Sequence, residues 1–344
     1  MKNLFTTVIR LDAVLILSAF ICGCSADETG SGTSASRISF SCVPESFGHA
    51  ESRSALSSAG MEDMITSISI FIYNEDRLIE SGHYEQDFSG MSFNLVTEES
   101  YDIYALVNMG DMRASMPSDK SGGSHEQLTW TLPSLQSVSL NGLPMSGVLE
   151  DFKAGTDDPV IHLKRLFAKV TVNVGFSYQG ASVSSVKVMN LNCRLRPFGQ
   201  SAALSASHIM TETETDDGSG AYVFYIPENM QGQIGSASAS HGKNPDIDPD
   251  INAVRDLLTY MEVEVALDGQ AGRTGTITYR SYLGNNDTKN FDIKGNCRYE
   301  WKVTYMEDNL QYDDWKVDTG DMSSEMNITF GTDPRWDETG SIIL

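Results

Sequence analysis

The chain has 344 residues, which is enough for about two domains of ordinary size. Acidic residues outnumber basic ones by 47 to 24, so the formal charge at pH 7 is −23. A chain of this charge repels the phosphates of nucleic acids and anionic lipid headgroups, which excludes both as expected partners. Hydrophobic residues make up 40% of the chain, which excludes global disorder and favours a folded, β-rich, secreted protein.

The N-terminal segment has the pattern of an export signal. Lys2 and Arg10 precede a short apolar run at residues 13–21, which is too short to span a membrane. The run ends in Ile21-Cys22-Gly23-Cys24, which resembles a bacterial lipobox. This resemblance implies a signal peptide over residues 1–23 and a diacylglyceryl thioether on Cys24. An ordinary secretory peptide with a chance cysteine is the alternative.

Residues 24–36 are small and polar and are predicted to form a flexible tether. The early acidic pair Asp27-Glu28 resembles the surface-export signal of Bacteroidetes lipoproteins. The predicted location is therefore the outer membrane and the cell surface.

Three cysteines remain in the mature chain, namely Cys42, Cys193 and Cys297. This odd number allows at most one intramolecular disulfide, and the spacing does not select a pair. None lies in a C-x-x-C pair or beside a histidine at metal-ligand spacing. The favoured interpretation is buried or half-buried free thiols inside strands.

Alternating apolar and polar residues predict β-strands along most of the mature chain. Isoleucines recur at every second position of residues 66–73. In residues 166–174, Lys169, Thr171 and Asn173 alternate with apolar residues and are expected to face solvent. Such alternation is typical of antiparallel sheets with one buried face. Further strands are predicted at residues 101–109, 261–267 and 301–305.

Helical spacing occurs in residues 250–258, with Asp250 as the predicted N-cap. The polar stretch Asp157-Asp-Pro159 separates two strand-rich halves and predicts a domain junction between residues 148 and 163. The resulting domains are residues 37–158 and 159–344.

The sequence contains no familiar catalytic motif, and it predicts neither an enzyme nor a cofactor. The six histidines are scattered, and no H-E-x-x-H, G-x-S-x-G or phosphate-binding loop is present. Residues 246–250 are similar to the start of a calcium loop, but Ile251 and Leu257 replace the required Gly and Glu. Carboxylates are numerous, so a glycosidase pair stays open although no local signal indicates one.

Several segments resemble the fimbrillins, the subunits of type V pili of Bacteroidales, and their fimbrillin-like lipoprotein relatives. Order and spacing of these segments make the resemblance specific. They are Gly142-Leu-Pro-Met-Ser-Gly147, Leu163-Lys-Arg-Leu-Phe-Ala-Lys-Val-Thr-Val172, Tyr225-Ile-Pro-Glu-Asn-Met-Gln-Gly232, and Tyr279-Arg-Ser-Tyr-Leu-Gly284 followed by Asn290-Phe-Asp-Ile293 and Arg298-Tyr299.

The resemblance implies an all-β chain of two tandem transthyretin-like antiparallel β-sandwich domains. It also implies a lipoprotein precursor whose first strand fills a groove in the N-terminal domain. A trypsin-like maturation protease then cuts after an Arg and releases that strand, and a strand of the next subunit replaces it by β-augmentation.

The matching first strand is residues 37–47, with Ile38, Phe40 and Cys42 on its inward face. The loop that follows contains Arg53, the candidate cleavage site, and Arg37 is the weaker alternative. Near the C-terminus, residues 326–330 alternate well, but residues 331–340 interrupt the pattern, which favours a tip or accessory subunit over a stalk subunit.

Two functions follow from these observations. The first is a structural or tip subunit of a cell-surface pilus, with a role in adhesion, anchored through Cys24 and joined to other pilus subunits by strand exchange. The second is a non-polymerising surface lipoprotein that binds carbohydrate or a host ligand through exposed aromatics. The candidate aromatics are Trp130, Trp301, Trp315 and Trp336, of which Trp301 is predicted to be a core residue.

Overall fold

A computed structural model describes the fold of this chain. It describes residues 35–45, 59–155, 159–176, 179–200, 209–215, 221–235, 243, 248–270, 274–284, 289–305, 316–318 and 329–333. Among these residues, none of the helices is long and apolar enough to cross a membrane.

The first half of the chain builds a six-stranded sheet in the order β2-β9-β8-β6-β3-β4 and a two-stranded sheet of β1 with β5. Its strands are β1 (Ala35–Ser39), β2 (Ser41–Pro44), β3 (Ser67–Asn74), β4 (Arg77–Glu85), β5 (Ser92–Val96), β6 (Ser100–Val107), β7 (Trp130–Thr131), β8 (Met145–Lys153) and β9 (Val160–Arg165). Its helices are α1 (Ala59–Glu62) and α2 (Leu135–Asn141), with a 3₁₀ segment at Ser121–Gln127.

The second half builds a four-stranded sheet in the order β14-β10-β17-β19 and a five-stranded sheet in the order β13-β11-β15-β16-β18. Its strands are β10 (Phe167–Phe176), β11 (Ala181–Asn192), β12 (Arg194–Leu195), β13 (Ile209–Thr215), β14 (Ala221–Pro227), β15 (Tyr260–Asp268), β16 (Thr274–Tyr282), β17 (Arg298–Tyr305), β18 (Lys316–Asp318) and β19 (Thr329–Asp333). Helix α3 (Pro249–Val254) runs into a 3₁₀ turn at Arg255–Leu257.

The all-β fold class predicted from the alternation is confirmed. The predicted strands correspond to β3, β6, β10, β15 and β17. Most pairings between described strands are antiparallel, while β2 with β9, β10 with β17 and β16 with β18 are parallel.

The two larger hydrophobic cores of the described residues lie one after the other along the chain. The first gathers buried side chains from Phe40 to Phe167, and the second gathers them from Ala168 to Val303. Buried Cys193 and Leu195, on either side of the start of β12, nevertheless pack into the first core, and β12 pairs with β7. The second half of the chain therefore contributes directly to the core of the first.

The Pro-Met-Ser-Gly segment owes its composition to close packing at the start of β8. The Met145 side chain is buried, and the Ser146 hydroxyl donates to the Pro197 carbonyl at 2.6 Å. A Cβ atom on Gly147 would lie 2.5 Å from the carbonyl oxygen of His162 on β9, so only glycine fits there.

Three local predictions need correction. The first strand is two strands, β1 and β2, because the chain changes partner at Phe40, from β5 to β9. Asp248 rather than Asp250 caps α3, since Pro249 takes the first helical position, where its missing N–H costs nothing. Lys169 does not face open solvent, because its ammonium group binds the buried carboxylate of Glu62 at 2.6 Å.

Candidate functional site

Each half of the first strand pairs with a single neighbouring strand. β1 runs antiparallel to β5, with Ala35 opposite Val96 and Ser39 opposite Ser92. β2 is the edge strand of the six-stranded sheet and pairs in parallel with β9 alone among the described strands. A strand with one neighbour contributes half the backbone hydrogen bonds of a central strand, so it is the easier kind to remove.

Side chains of the first strand alternate between core and solvent as predicted. Ile38 and Cys42 are half-buried, and Phe40 is 5% exposed. The Phe40 ring centroid lies 5.6 Å from that of Phe93 and 6.1 Å from that of Phe152. Phe40 is therefore the main apolar anchor of this strand.

Cys42, Cys193 and Cys297 have free thiols, as the favoured interpretation expects, but only Cys42 lies inside a strand, because Cys193 lies between β11 and β12 and Cys297 directly precedes β17. Cys193 is buried, while Cys42 and Cys297 are half-buried. Burial raises the pKa of Cys42 to about 12, so its thiol stays protonated and acts as an apolar group.

The end of the first strand is fixed by Glu45. Its amide donates to the Leu163 carbonyl at 3.1 Å, which prolongs the pairing of β2 with β9. Its carboxylate accepts from Asn296 Nδ2 at 2.7 Å, and its carbonyl accepts from Arg165 Nη1 at 3.5 Å. The strand end is thus attached to the turn before β17 in the second half of the chain.

Arg165 is the centre of this attachment. Its side chain has no exposed surface. Besides Glu45, it donates from Nε to the Glu62 carbonyl at 3.0 Å and from Nη2 to Asp63 Oδ1 at 2.5 Å. Burial lowers the pKa of Arg165, and the neighbouring carboxylates oppose that shift.

A second buried charge lies beside the first. Glu62 is 4% exposed, and its carboxylate accepts from Lys169 Nζ at 2.6 Å and from the Tyr225 hydroxyl at 2.5 Å. Arg298 Nη2 is 3.9 Å from the same carboxylate. We call Glu45, Glu62, Asp63, Arg165, Lys169, Tyr225, Asn296 and Arg298 the junction cluster.

The junction cluster brackets the segment that contains the predicted cleavage site. Glu45 precedes that segment, and Glu62 and Asp63 follow it in the sequence. Arg53 itself lies outside the described residues, as do Cys24 and the signal peptide. Arg37 lies within β1, opposite Asn94, and its Nε donates to the Ser92 hydroxyl at 2.9 Å.

The sequence predicted no role for Arg165, which lies within the fimbrillin-like segment Leu163–Val172. A signal was present, because Arg165 continues the alternating series of Ile161 and Leu163, both of which point inward. A charged residue at an inward position of a strand indicates a buried ion cluster.

One side-chain cluster has the composition of a catalytic triad. Ser69 Oγ is 2.9 Å from His83 Nδ1, and His83 Nε2 is 3.3 Å from Glu85. Ser69, however, has 0% exposure, and its hydroxyl also donates to the Gly110 carbonyl. A substrate cannot reach this hydroxyl, so the arrangement acts as a structural hydrogen-bond network.

The residues of the calcium-loop-like segment and the candidate tryptophans have structural roles where the structure describes them. Asp248 Oδ1 accepts the amides of Asp250 and Ile251 as a helix cap, which occupies it without a calcium ion. No group of three or more metal-ligating side chains occurs among the described residues. Trp301 is 1% exposed, which confirms its predicted core position, and Trp130 is also buried. Trp315 and Trp336 lie outside the described residues.

Comparison with known proteins gives one family match. A family described as a domain of unknown function (DUF4906) matches residues 224–303, which include the Pro-Glu-Asn segment, β15 and β16. In this region the backbone amide of Asn229 donates to the Ile293 carbonyl, and the backbone amide of Ile293 donates to the Asn229 carbonyl, each at 2.8 Å. No curated protein matches the chain.

Solved structures match most of the chain. The tip fimbrial protein Mfa3 from Porphyromonas gingivalis, with a C-terminal truncation, aligns with a TM-score of 0.55 and 12% identity over 80% of this chain and 95% of its own. The chain has the fimbrillin fold. Proteins described as putative cell adhesion proteins from Parabacteroides distasonis and Bacteroides eggerthii align with TM-scores of 0.54 and 0.54 at 15% and 13% identity. These alignments cover 87% and 89% of this chain and 95% and 97% of theirs.

The fimbrillin fold unites the separate sequence segments. The Pro-Met-Ser-Gly segment begins β8, the Leu163–Val172 segment contains the Arg165 junction, and the late segments bring Asn296 to Glu45. The resemblance stated from these segments is therefore confirmed at the level of the fold.

Proposed function

We propose that this protein is a structural or tip subunit of a cell-surface pilus, made as a lipoprotein precursor and assembled by strand exchange. The observation that carries the proposal is the first strand, which buries Phe40 in the core while each half pairs with one neighbour. Two further observations support the proposal. The chain has the fimbrillin fold, and the solved structures it resembles are described as a tip fimbrial protein and a putative cell adhesion protein.

Removal of the first strand would open a groove with two properties. The rings of Phe93 and Phe152 would lose the Phe40 ring, and the outer backbone edges of β5 and β9 would lose their partners. Each lost backbone bond is worth only about 0.5–1.5 kcal/mol, and the aromatic side chain adds about 1.5–3 kcal/mol. Together these terms favour occupation of the groove by another strand.

Arg53 is the proposed cleavage site because of its place in the chain. A cut between Glu45 and α1 detaches the first strand without breaking any other connection in the described core. Arg37 is a poorer substrate, because its backbone is paired with β5, whereas a protease needs an extended segment that can pair with its own active site. A trypsin-like protease is the enzyme class that cuts after arginine.

The chain contains a second copy of the first-strand pattern. Residues 38–44 read Ile-Ser-Phe-Ser-Cys-Val-Pro, and residues 328–334 read Ile-Thr-Phe-Gly-Thr-Asp-Pro. Of the second segment, Thr329–Asp333 forms β19, which pairs with β17 at the edge of the four-stranded sheet. A segment with the same order of Ile, Phe and Pro supports a partner strand from a subunit of the same or a related type.

Protease treatment of the purified chain tests assembly. After incubation with a trypsin-like protease, the mature protein should begin at Ser54 and give a ladder of bands on unboiled gel electrophoresis. Arg53→Ala should abolish both the cut and the ladder, while Arg113→Ala, which changes an exposed arginine elsewhere, should leave both intact. A trimmed protein that remains a monomer at high concentration would overturn the self-assembly proposal.

Anchoring through Cys24 has a separate test. The Cys24→Ser precursor should move from the detergent phase to the aqueous phase, because the lipid would be absent. Cys297→Ser keeps the lipid and is the matched control. Unchanged partitioning of Cys24→Ser would contradict the lipoprotein part of the proposal while leaving strand exchange to its own test.

The alternative is a non-polymerising surface lipoprotein that binds carbohydrate or a host ligand. The attachment of Glu45 to Asn296 and Arg165 favours it, because these bonds oppose release of the strand. Under this alternative the strand stays in place after cleavage, and the trimmed protein elutes as a monomer that retains the peptide containing residues 35–45. Neither function requires enzymatic activity.

A further inference from the structure

The amide of Asn296 has a fixed orientation at the end of the first strand. Its Oδ1 accepts from the backbone amide of Arg165 at 3.3 Å and from Arg165 Nη1 at 3.1 Å. Its own backbone amide donates to the Phe167 carbonyl at 3.0 Å. Because an arginine has no acceptor, Oδ1 must face Arg165, and Nδ2 must face Glu45.

We propose that Asn296 and Arg165 form a reader that selects the chemistry of the residue ending the strand in this groove. Asn296 Nδ2 donates to the Glu45 carboxylate at 2.7 Å and so recognises the side chain. Arg165 Nη1 donates to Asn296 Oδ1 at 3.1 Å, which orients that amide, and to the Glu45 backbone carbonyl at 3.5 Å, which any residue supplies. The occupant it fits is an extended peptide strand whose residue after the proline is a hydrogen-bond acceptor, either a carboxylate or a side-chain amide. This inference rests on the proposed strand exchange and names the partner's chemistry.

Charge around the reader disfavours a cation at the same position. Arg165 has no exposed surface, and Lys169 and Arg298 lie close by around Glu62. A basic side chain in place of Glu45 would bring a fourth positive charge to this cluster and remove one of three carboxylates. Like charges in a poorly solvated site repel, and neither reader group can accept a hydrogen bond from the newcomer.

The reader should bind residues 328–335 of this chain, which repeat the first-strand pattern, more weakly than a strand with an acceptor after the proline. In the first strand the residue after the proline is Glu45, whereas in the second copy it is Arg335. A second copy of this chain would therefore supply matching Ile, Phe and Pro side chains and a mismatched final residue. The reader accordingly makes a second copy of this chain a weaker partner than a related subunit with an acidic or amide residue there, without preventing self-assembly.

Hydrogen–deuterium exchange of the uncut full-length chain tests the reader without any need for polymerisation. Glu45→Arg should speed exchange in the peptide containing residues 35–45 by at least about tenfold, whereas Glu45→Gln, which keeps an acceptor, should change it by less than about threefold. Val43→Arg is the matched control, since it adds the same side chain on the exposed face of β2. Unchanged exchange in β15 and β16 verifies the fold of each variant.

Exchanging the hydrogen-bond donor at position 296 with the acceptor at position 45 distinguishes recognition of the side chain from general packing of the strand. Asn296→Asp removes the donors that face Glu45 and should speed exchange of the first strand. Adding Glu45→Gln to that variant should restore slow exchange, because the Gln amide can donate to the new carboxylate. Equal exchange in wild type and Glu45→Arg, or failure of the double variant to restore protection, would overturn the reader.

Peptide binding to the protease-trimmed protein tests the partner's chemistry. A labelled peptide of residues 328–335 should bind at least about tenfold more weakly than the same peptide with Arg335→Glu. Equal binding of both peptides would overturn selection by the reader. Binding of neither peptide, with normal results in the exchange experiment, would instead contradict the proposed strand exchange.

Discussion

The two edges of the six-stranded sheet are built in opposite ways. At one edge, β2 is short, buries its inward side chains and ends at the junction cluster. At the other edge, β4 contains a bulge at Ile79, since Glu80 pairs with Ile72 and Leu78 with Tyr73. The segment around Asp119 also covers the start of β4 by a bridge to Arg77.

This difference shows where the molecule permits a new strand. Bulges, charges and covering segments are common means of preventing edge-to-edge association, and β4 has all three, its exposed charges being Arg77, Glu80 and Glu85. At the opposite side of the sheet, β2 is an ordinary strand that covers the edge of β9, and polar bonds attach it at one end. Protection is thus permanent at β4 and removable at β2.

The largest expected effect comes from the polar attachment at the β2 edge. Arg165→Ala removes the buried donor to the Glu62 and Glu45 carbonyls and to Asn296 Oδ1, together with the ion pair to Asp63, which should lower the free energy of unfolding by about 3–5 kcal/mol. Urea denaturation measures this change, and hydrogen exchange should increase in β2 more than in β4. Arg113→Ala breaks an exposed ion pair and should leave both measurements unchanged. Similar losses for the two variants would contradict the special role of the junction cluster.

Phe40→Ala removes the apolar anchor of the same edge. The cavity beside Phe93 and Phe152 should lower the free energy of unfolding by about 3 kcal/mol, at the low end for such a change because an edge strand can relax. Val43→Ala in the adjacent strand changes a partly exposed side chain and is the control, with an expected effect below about 0.5 kcal/mol. If Phe40→Ala leaves exchange of residues 35–45 unchanged, the ring does not hold the strand.

Cys42 reports occupancy of the β2 edge by its chemistry. The pKa of about 12 leaves about one thiol in a thousand ionised at pH 9, whereas about half would be ionised at the ordinary value. Iodoacetamide labelling at pH 9, followed by peptide mapping, should therefore be about 500-fold slower in the folded chain than in urea. The rate should rise with pH up to about 12. Labelling at the unfolded rate would mean that the strand is already loose.

The smallest effect is expected at the β4 edge. Ile79→Lys alters an exposed bulge residue, so the free energy of unfolding should change by less than about 0.5 kcal/mol. Gel electrophoresis of the trimmed variant should give the same band ladder as the wild type. A weaker ladder would show that β4 takes part in assembly and would remove the contrast between the edges.

Local pattern was sufficient to predict β3, β6, β10, β15 and β17 and the inward face of the first strand. Ile38, Phe40 and Cys42 face inward because side chains in an extended backbone alternate, whatever the strand pairs with. The fold class followed from the same alternation and from the fimbrillin-like segments. Arg53 and Cys24 are still predictions from sequence, since they lie outside the described residues.

Only the tertiary structure decided what each strand pairs with and which charges meet. The change of partner at Phe40 leaves no mark in the alternation, because pairing with β5 or β9 requires the same extended backbone. Glu45, Glu62, Arg165 and Asn296 are up to 251 residues apart in sequence, and no local period relates them. Their contact arises because two separately patterned halves pack together, and burial there makes each charge depend on partners from the other half.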